Sequence, residues 1–173
     1  PPHGCIRRTG LKTLIRDDID DEFDHLSNLR RVVELRALLD SRERVGILLQ
    51  PDPDPDGIAS GYALRAILGR KRTTAPLISF GEVTRPENRA LVEALGIEVR
   101  VISPKELDEM DGLVLVDVQP NVFGEDPPKR LQEIDAVIDH HPERSGYDTV
   151  LQDIRTSYGA TASILTEYLQ AAG

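Results

Sequence analysis

The sequence predicts an α/β fold: a Rossmann-like, mostly parallel β-sheet flanked by helices on both faces, with an N-terminal helical extension. Three observations carry this expectation. Short apolar runs of strand length recur at residues 45–49, 74–81, 97–102, 113–118 and 136–139. Helix-like stretches at 58–68, 85–95 and 127–134 alternate with them, which is the pattern of a parallel sheet. Three of the runs, moreover, end in carboxylates or histidines, and the carboxyl ends of strands are where open α/β sheets bind ligands.

A chain of 173 residues is long enough for one domain with a sizeable core. Hydrophobic residues at 39% and charged residues at 29% describe a globular chain and exclude a fibrous or disordered one. No apolar run approaches the ~20 residues that a transmembrane helix needs. The start carries no signal-peptide pattern, and a single cysteine, Cys5, offers no internal disulfide. Together these predict a cytoplasmic setting and no membrane partner. The net charge of −9 argues against a broad footprint for long nucleic acid. Aromatic residues at 4% leave little for a base-stacking platform, so short anionic substrates fit better.

Residues 1–17 carry Arg7, Arg8, Lys12 and Arg16 before the first acid, and read as a basic arm or linker. Residues 20–40 follow as a packing helix, in which Phe23, Leu26, Leu29, Val33, Leu35, Leu38 and Leu39 form the apolar face. His25, alone on that helix, is expected at the surface. The strand at 45–49 runs into Gln50–Ser60, where Asp52, Asp54 and Asp56 alternate with prolines. In an extended chain alternate side chains point the same way, so the three carboxylates can converge. The prolines stiffen the cluster, and a hard divalent cation would relieve its repulsion. A solvated acidic turn uses the same residue types.

The helix at 58–68 leads to the strand at 74–81, the helix at 85–95 with Pro86 in its first turn, and Gly96 as its stop. The strand at 97–102 and a polar connection at 104–110 come next. The strand at 113–118 is apolar until Asp117, a costly position for an unpaired carboxylate. The 127–134 helix then precedes Asp139-His140-His141 at another strand end. Neutral imidazole is a common metal ligand, usually oriented by a carboxylate behind it. Finally, residues 156–163 open the helix at 164–169 with small and hydroxyl side chains. Ser157, Gly159 and Thr161 could seat a phosphate there, and capping or close packing would use the same residues.

These segments together resemble the DHH phosphoesterase family, in its RecJ-like and nano-RNA phosphatase-like branches. The first motif is Asp52-Pro53-Asp54-Pro55-Asp56-Gly57-Ile58-Ala59-Ser60, the second Val116-Asp117, and the third Asp139-His140-His141. The fourth is Ser157-Tyr158-Gly159-Ala160-Thr161. The resemblance implies a catalytic domain at 44–173, preceded by an arm and packing helix at 1–43. It also implies two divalent ions, Mn2+ or alternatively Mg2+, that activate water against phosphodiester or phosphomonoester bonds of short oligonucleotides or nucleotides. Residue by residue, Asp54 and Asp56 would ligate the two ions, Asp117 would bridge them and His140 would complete the set, with Asp52 assisting. His141 would meet the phosphate, Asp139 would orient the histidine pair, and Ser157, Gly159 and Thr161 would contact substrate.

Two departures accompany the resemblance. Gln50 stands where many members have a histidine. The family's further Asp ligand and its C-terminal substrate-binding domain lie outside this chain, which therefore resembles the catalytic lobe of a longer protein. Asp153 is too early in the chain to replace that ligand. The alternative these departures suggest is a non-catalytic regulatory module that binds nucleotide and metal.

Overall fold

The computed structural model describes residues 8–124 and 127–173, with side chains from residue 21 on. Cys5 and the side chains of the basic stretch 1–17 lie outside the described residues. The chain runs α1 (Arg8–Leu39), β1 (Val45–Leu48), α2 (Pro55–Ile67), β2 (Leu77–Ser79), α3 (Pro86–Ala94) and β3 (Val99–Val101). It continues through α4 (Pro104–Leu107), β4 (Gly112–Val116), 3-10 turns at Pro120–Phe123 and Lys129–Gln132, β5 (Ile134–Asp139), β6 (Thr149–Ile154) and α5 (Thr161–Ala172). The six strands form one sheet in the order β3-β2-β1-β4-β5-β6, and every neighbouring pair is parallel. The chain leaves β1 outward through β2 and β3, then returns to place β4 against the other side of β1. That reversal opens a crevice between the carboxyl ends of β1 and β4.

β1, β4 and β5 are buried along their whole length, as expected of central strands covered on both faces. One face carries the long helices. Leu35 and Leu39 of α1, Ile58 and Leu64 of α2, and Ile164 and Tyr168 of α5 pack there on Ile47, Val114 and Ala136. The other face is covered more thinly. Leu107 of α4, Met110 and Leu131 lie there over Leu48, Leu113 and Val137. Among the described residues no helix is long and apolar enough to cross a membrane.

Four local features differ from the sequence expectation, each for a physical reason. First, the expected helix at 127–134 is a 3-10 turn, because Ile134 already pairs with Thr149 in the sheet and leaves only Lys129–Gln132 to turn. Second, the connection at 104–110 holds a short helix, closed by a capping box between Ser103 and Glu106. Third, β6 is a strand despite its polar Gln152 and Asp153. Asp153 is buried because Arg155 grips both its oxygens, at 3.0 and 2.8 Å, and the Tyr168 hydroxyl donates to it at 2.5 Å.

Fourth, the packed stripe of α1 runs through Asn28, Val32, Leu35 and Leu39, while Phe23, Leu26 and Val33 are exposed. Asn28 earns no notice in a count of apolar residues, yet both ends of its amide are satisfied in the core. Its Nδ2 donates to Glu167 at 3.0 Å and its Oδ1 accepts from Arg155 at 2.6 Å. His25 is exposed, as expected.

Arg155 thus joins β6, α1 and α5. Arg155→Met leaves the Asp153 carboxylate buried without its cation, and is expected to cost about 3–5 kcal/mol of stability. Urea denaturation of the two proteins measures this; a loss well under 1 kcal/mol would mean that water replaces the guanidinium.

Candidate metal centre and active site

The loop after β1 ends in Asp54, which caps α2: its backbone is extended and its Oδ1 accepts the Gly57 amide at 3.0 Å. Pro55 follows at the first helical position, where its missing N–H costs nothing. Asp56 lies in the first turn, and its carboxylate reaches across to α5. Oδ2 accepts the Thr161 amide at 2.8 Å and Oδ1 the Ala162 amide at 2.7 Å. The N-terminus of α5, which the sequence offered as a phosphate seat, already holds an anion from α2. A Cβ at Gly57 would stand 3.3 Å from Asp117 Oδ2, so a larger residue there would press on that carboxylate.

Asp117 follows β4 directly, with φ of 60°. A non-glycine residue reaches this left-handed region at a cost, and Asp is one of the few that tolerate it. Its carboxylate is almost wholly buried, and Oδ1 accepts the Thr161 hydroxyl at 2.8 Å. At the end of β5, Asp139 is fully buried and serves as the hub of its neighbours. Its Oδ1 accepts the His140 amide at 2.8 Å and His141 Nδ1 at 2.8 Å, while Oδ2 accepts the Gln119 amide group at 2.6 Å. His140 turns Nδ1 to the Tyr158 carbonyl at 3.2 Å; a carbonyl can only accept, so the contact calls for the proton on Nδ1, which in the neutral ring places the lone pair on Nε2.

That Nε2 stands 3.6 Å from Asp56 Oδ2 and 3.7 Å from Asp117 Oδ1. Donor atoms of Asp117, His140 and His141 all fall within 4.8 Å of one another. These separations are too long for hydrogen bonds and suit a cation shared between the groups. The donor set fits one: carboxylate oxygens and a preoriented imidazole suit a divalent ion.

The electrostatics agree. Burial, with Asp56 and Asp54 close by, pushes the Asp117 carboxyl up to about 7 despite the Thr161 hydroxyl. Burial works against the charged form of His141, yet the hydrogen bond and charge of Asp139, backed by Asp117 and Asp54, raise its pKa.

Beside the cluster lies a cavity of about 390 Å³, walled by Gln50, Asp117, Gln119, Asn121, His141 and Arg144 among others. The structure therefore brings Asp117, Asp139 and His141 to one wall, and His140, Asp54 and Asp56 to the adjoining helix ends. Thr161 lies behind Asp117 instead of in the cavity. Ser157 and Gly159 are exposed on the turn leading to α5.

Asp52 faces elsewhere. With φ of 54° it turns back to the loop after β2, accepting the Thr84 amide at 2.7 Å and hydroxyl at 2.9 Å, with Arg85 at 3.6 Å. The Asp52–Asp56 stretch is not extended, so alternation does not bring its three carboxylates to one point. Asp153, paired with Arg155, is remote from the cluster in its bonding. Sequence reasoning missed Gln119 and Arg144. Gln119 also accepts the Arg144 amide at 2.7 Å, so it orders the wall that follows the histidines. A neutral glutamine in a loop carries no signal of this.

A family model described as "DHH family, N-terminal domain" matches residues 44–173. An uncharacterized protein of Methanocaldococcus jannaschii is 29% identical over 167 residues, covering 88% of this chain and 34% of its own length. The crystal structure of an exopolyphosphatase-related protein from Bacteroides fragilis shares the fold with a TM-score of 0.53 at 12% identity, over 83% of this chain and 44% of that one. The chain thus spans about a third of the length of the first relative and under half of the second.

A carboxyl whose pKa is higher folded than unfolded ionises at a cost to the fold. For Asp117 that cost is absent below about pH 4, grows as pH rises toward 7, and stays constant above it. Asp117→Asn is therefore expected to raise the melting temperature of the metal-free protein at pH 8 by several degrees. The same variant should lose whatever melting shift a divalent cation such as Mn2+ gives the parent. Differential scanning calorimetry at pH 5 and 8, with and without the ion, checks both; a variant less stable than the parent at pH 8 contradicts the electrostatic account.

Proposed function

The chain belongs to the DHH family, and from that premise we propose that it is a divalent-metal-dependent phosphoesterase acting on phosphodiester or phosphomonoester bonds of short oligonucleotides or nucleotides. Members of the family are phosphoesterases. One observation carries the reading for this chain: Asp56 and Asp117 lie within 4 Å of His140 Nε2 at the switch point, with Asp54 beside them, next to a cavity lined by Asp117, His141 and Arg144.

Asp54, Asp56, Asp117 and His140 are the residues that would hold the metal, with Mn2+ as the expected ion, two ions as the expected number, and Mg2+ as the alternative. When bound, such ions supply positive charge to the phosphate and an activated water. The remaining chemistry belongs to the side chains. Asp139 holds the proton at His141 Nδ1, which fixes the ring and keeps it cationic to higher pH. His141 and Arg144 then face the phosphate oxygens and offset the charge that builds on them. Gln119, bonded to Asp139 and to the Arg144 amide, keeps these two groups in register. Asp52 braces the loop that presents Asp54. Ser157 and Gly159, exposed beside α5, would touch the parts of a substrate that extend past the cavity.

A small substrate suits a cavity near the lower end of the ~300–1,000 Å³ range of ligand sites. The net charge of −9 favours it too, since long single strands need a basic track. Gln50, on the cavity wall in place of a stronger ligand, is the observation that favours a regulatory module that binds without turnover.

Manganese-dependent release of nucleotide from dinucleotides and short oligonucleotides is the expected activity. Asp117→Ala and His140→Ala should each reduce it by on the order of a thousandfold or more. Gln119→Leu, which acts through Asp139, should lose about 10–100-fold and flatten the upper limb of the pH profile by releasing His141. Manganese binding without turnover on any of these substrates would select the regulatory module instead.

A further inference from the structure

The opposite edge of the sheet carries a second concentration of charge, of the other sign. Arg44 immediately precedes β1, Glu98 immediately precedes β3, and Arg65 and Arg72 lie at the C-terminal end of α2 and in the loop beyond it. With Arg100 of β3 and Thr73 they line a cavity of about 340 Å³ at the amino ends of β1, β2 and β3. Four arginines and one glutamate line one space in a chain whose net charge is −9.

Part of this charge has internal partners. Arg44 reaches Glu109 at 3.4 Å, Arg100 holds Glu106 at 2.7 Å, and Arg72 donates to the Gly96 carbonyl. Arg65 differs. It is 5% exposed, and its buried Nη1 has no hydrogen-bond partner among the described residues. A buried guanidinium with an unmet donor is costly unless a negative group arrives. Burial first, and the charge of Arg72 second, lower its pKa, against a smaller opposing effect of Tyr62 and Glu98. The Tyr62 ring 5.2 Å away and the C-terminal end of α2 give it some relief, but neither accepts a hydrogen bond from Nη1.

Guanidinium groups recognise phosphate in preference to a simple halide, because their planar donors match paired phosphate oxygens. Several on one cavity call for more than one phosphate. We propose that this arginine-lined cavity is a binding site for a small oligophosphate anion, either inorganic or the phosphate tail of a nucleotide. It lies at the strands' amino ends, whereas the carboxylate cluster lies at their carboxyl ends, so the two sites do not share one small ligand. Nothing in this assignment depends on the phosphoesterase reading.

The probe is inorganic tripolyphosphate, titrated calorimetrically without divalent cations. Under those conditions the anion stays free and the carboxylate cluster repels it. One site per chain is expected, weakening as salt rises. Arg72→Gln, an exposed change that leaves the core intact, should weaken binding by about tenfold. Glu98→Gln, which removes the one opposing charge of the cavity wall, should tighten it by at least about threefold. Asp117→Asn should leave it unchanged. Equal binding of ATP assigns the phosphate chain as what is read, and tighter binding of ATP assigns a nucleotide. No binding, binding indifferent to both cavity variants, or binding lost in Asp117→Asn would each overturn the proposal.

Discussion

The carboxyl edge of this sheet is organised by the enforced proximity of like charges. Asp54, Asp56 and Asp117 would separate if free, and each is held by donors that arise from the fold. Asp54 is held by the first turn of its own helix, Asp56 by the Thr161 and Ala162 amides of α5, and Asp117 by the hydroxyl of that same Thr161. Thr161 therefore meets two of the three acids at once, through its backbone and its side chain. α2 and α5 pack together in the core below, and their N-terminal ends converge on the cluster above. The energetic load of the acids and the packing of the long helices are one problem solved by one arrangement.

The strand order decides where that problem is posed. Because β1 and β4 are neighbours although far apart in sequence, the loops after them diverge and leave room at their ends. The histidine pair after β5 approaches from one side. β5 is buried throughout, which gives the Asp139–His141 pair a rigid base. Asp139 is bonded on both oxygens, so the imidazole it orients has little freedom. Gln119 extends that rigidity into the loop before the 3-10 turns.

Much of this was legible in the residues. Acids and histidines at the ends of apolar runs pointed to a cluster that the structure brings together in part, since a carboxylate ending a buried strand needs a reason to be there. Asp117 and Asp139-His140-His141 are examples. What the sequence did not disclose was orientation. Asp52 sits two residues from Asp54 in a motif that suggests three equivalent ligands, but a left-handed backbone sends it to Thr84. The side of α1 that packs was hidden because its first member is Asn28, polar yet satisfied. β6 was hidden because its buried Asp153 is neutralised by Arg155, a partner that lies past the end of the strand. The arginine cavity was invisible because its members are spread from residue 44 to residue 100, and only the sheet gathers them.

α2 connects the two charged edges. Its N-terminal end enters the acidic cluster and its C-terminal end supplies Arg65 to the basic cavity, so the fixed charges at each end complement the helix dipole. The domain is consequently polarised along the strand direction, and this governs the order of arrival at its edges. A free anion approaching the cation-free protein is turned from the carboxyl edge and drawn toward the amino edge. On the proposed phosphoesterase reading, a phosphate would enter the crevice more readily once a cation had neutralised the acids. On that reading the polarity of the molecule would favour one order of loading, cation before anion.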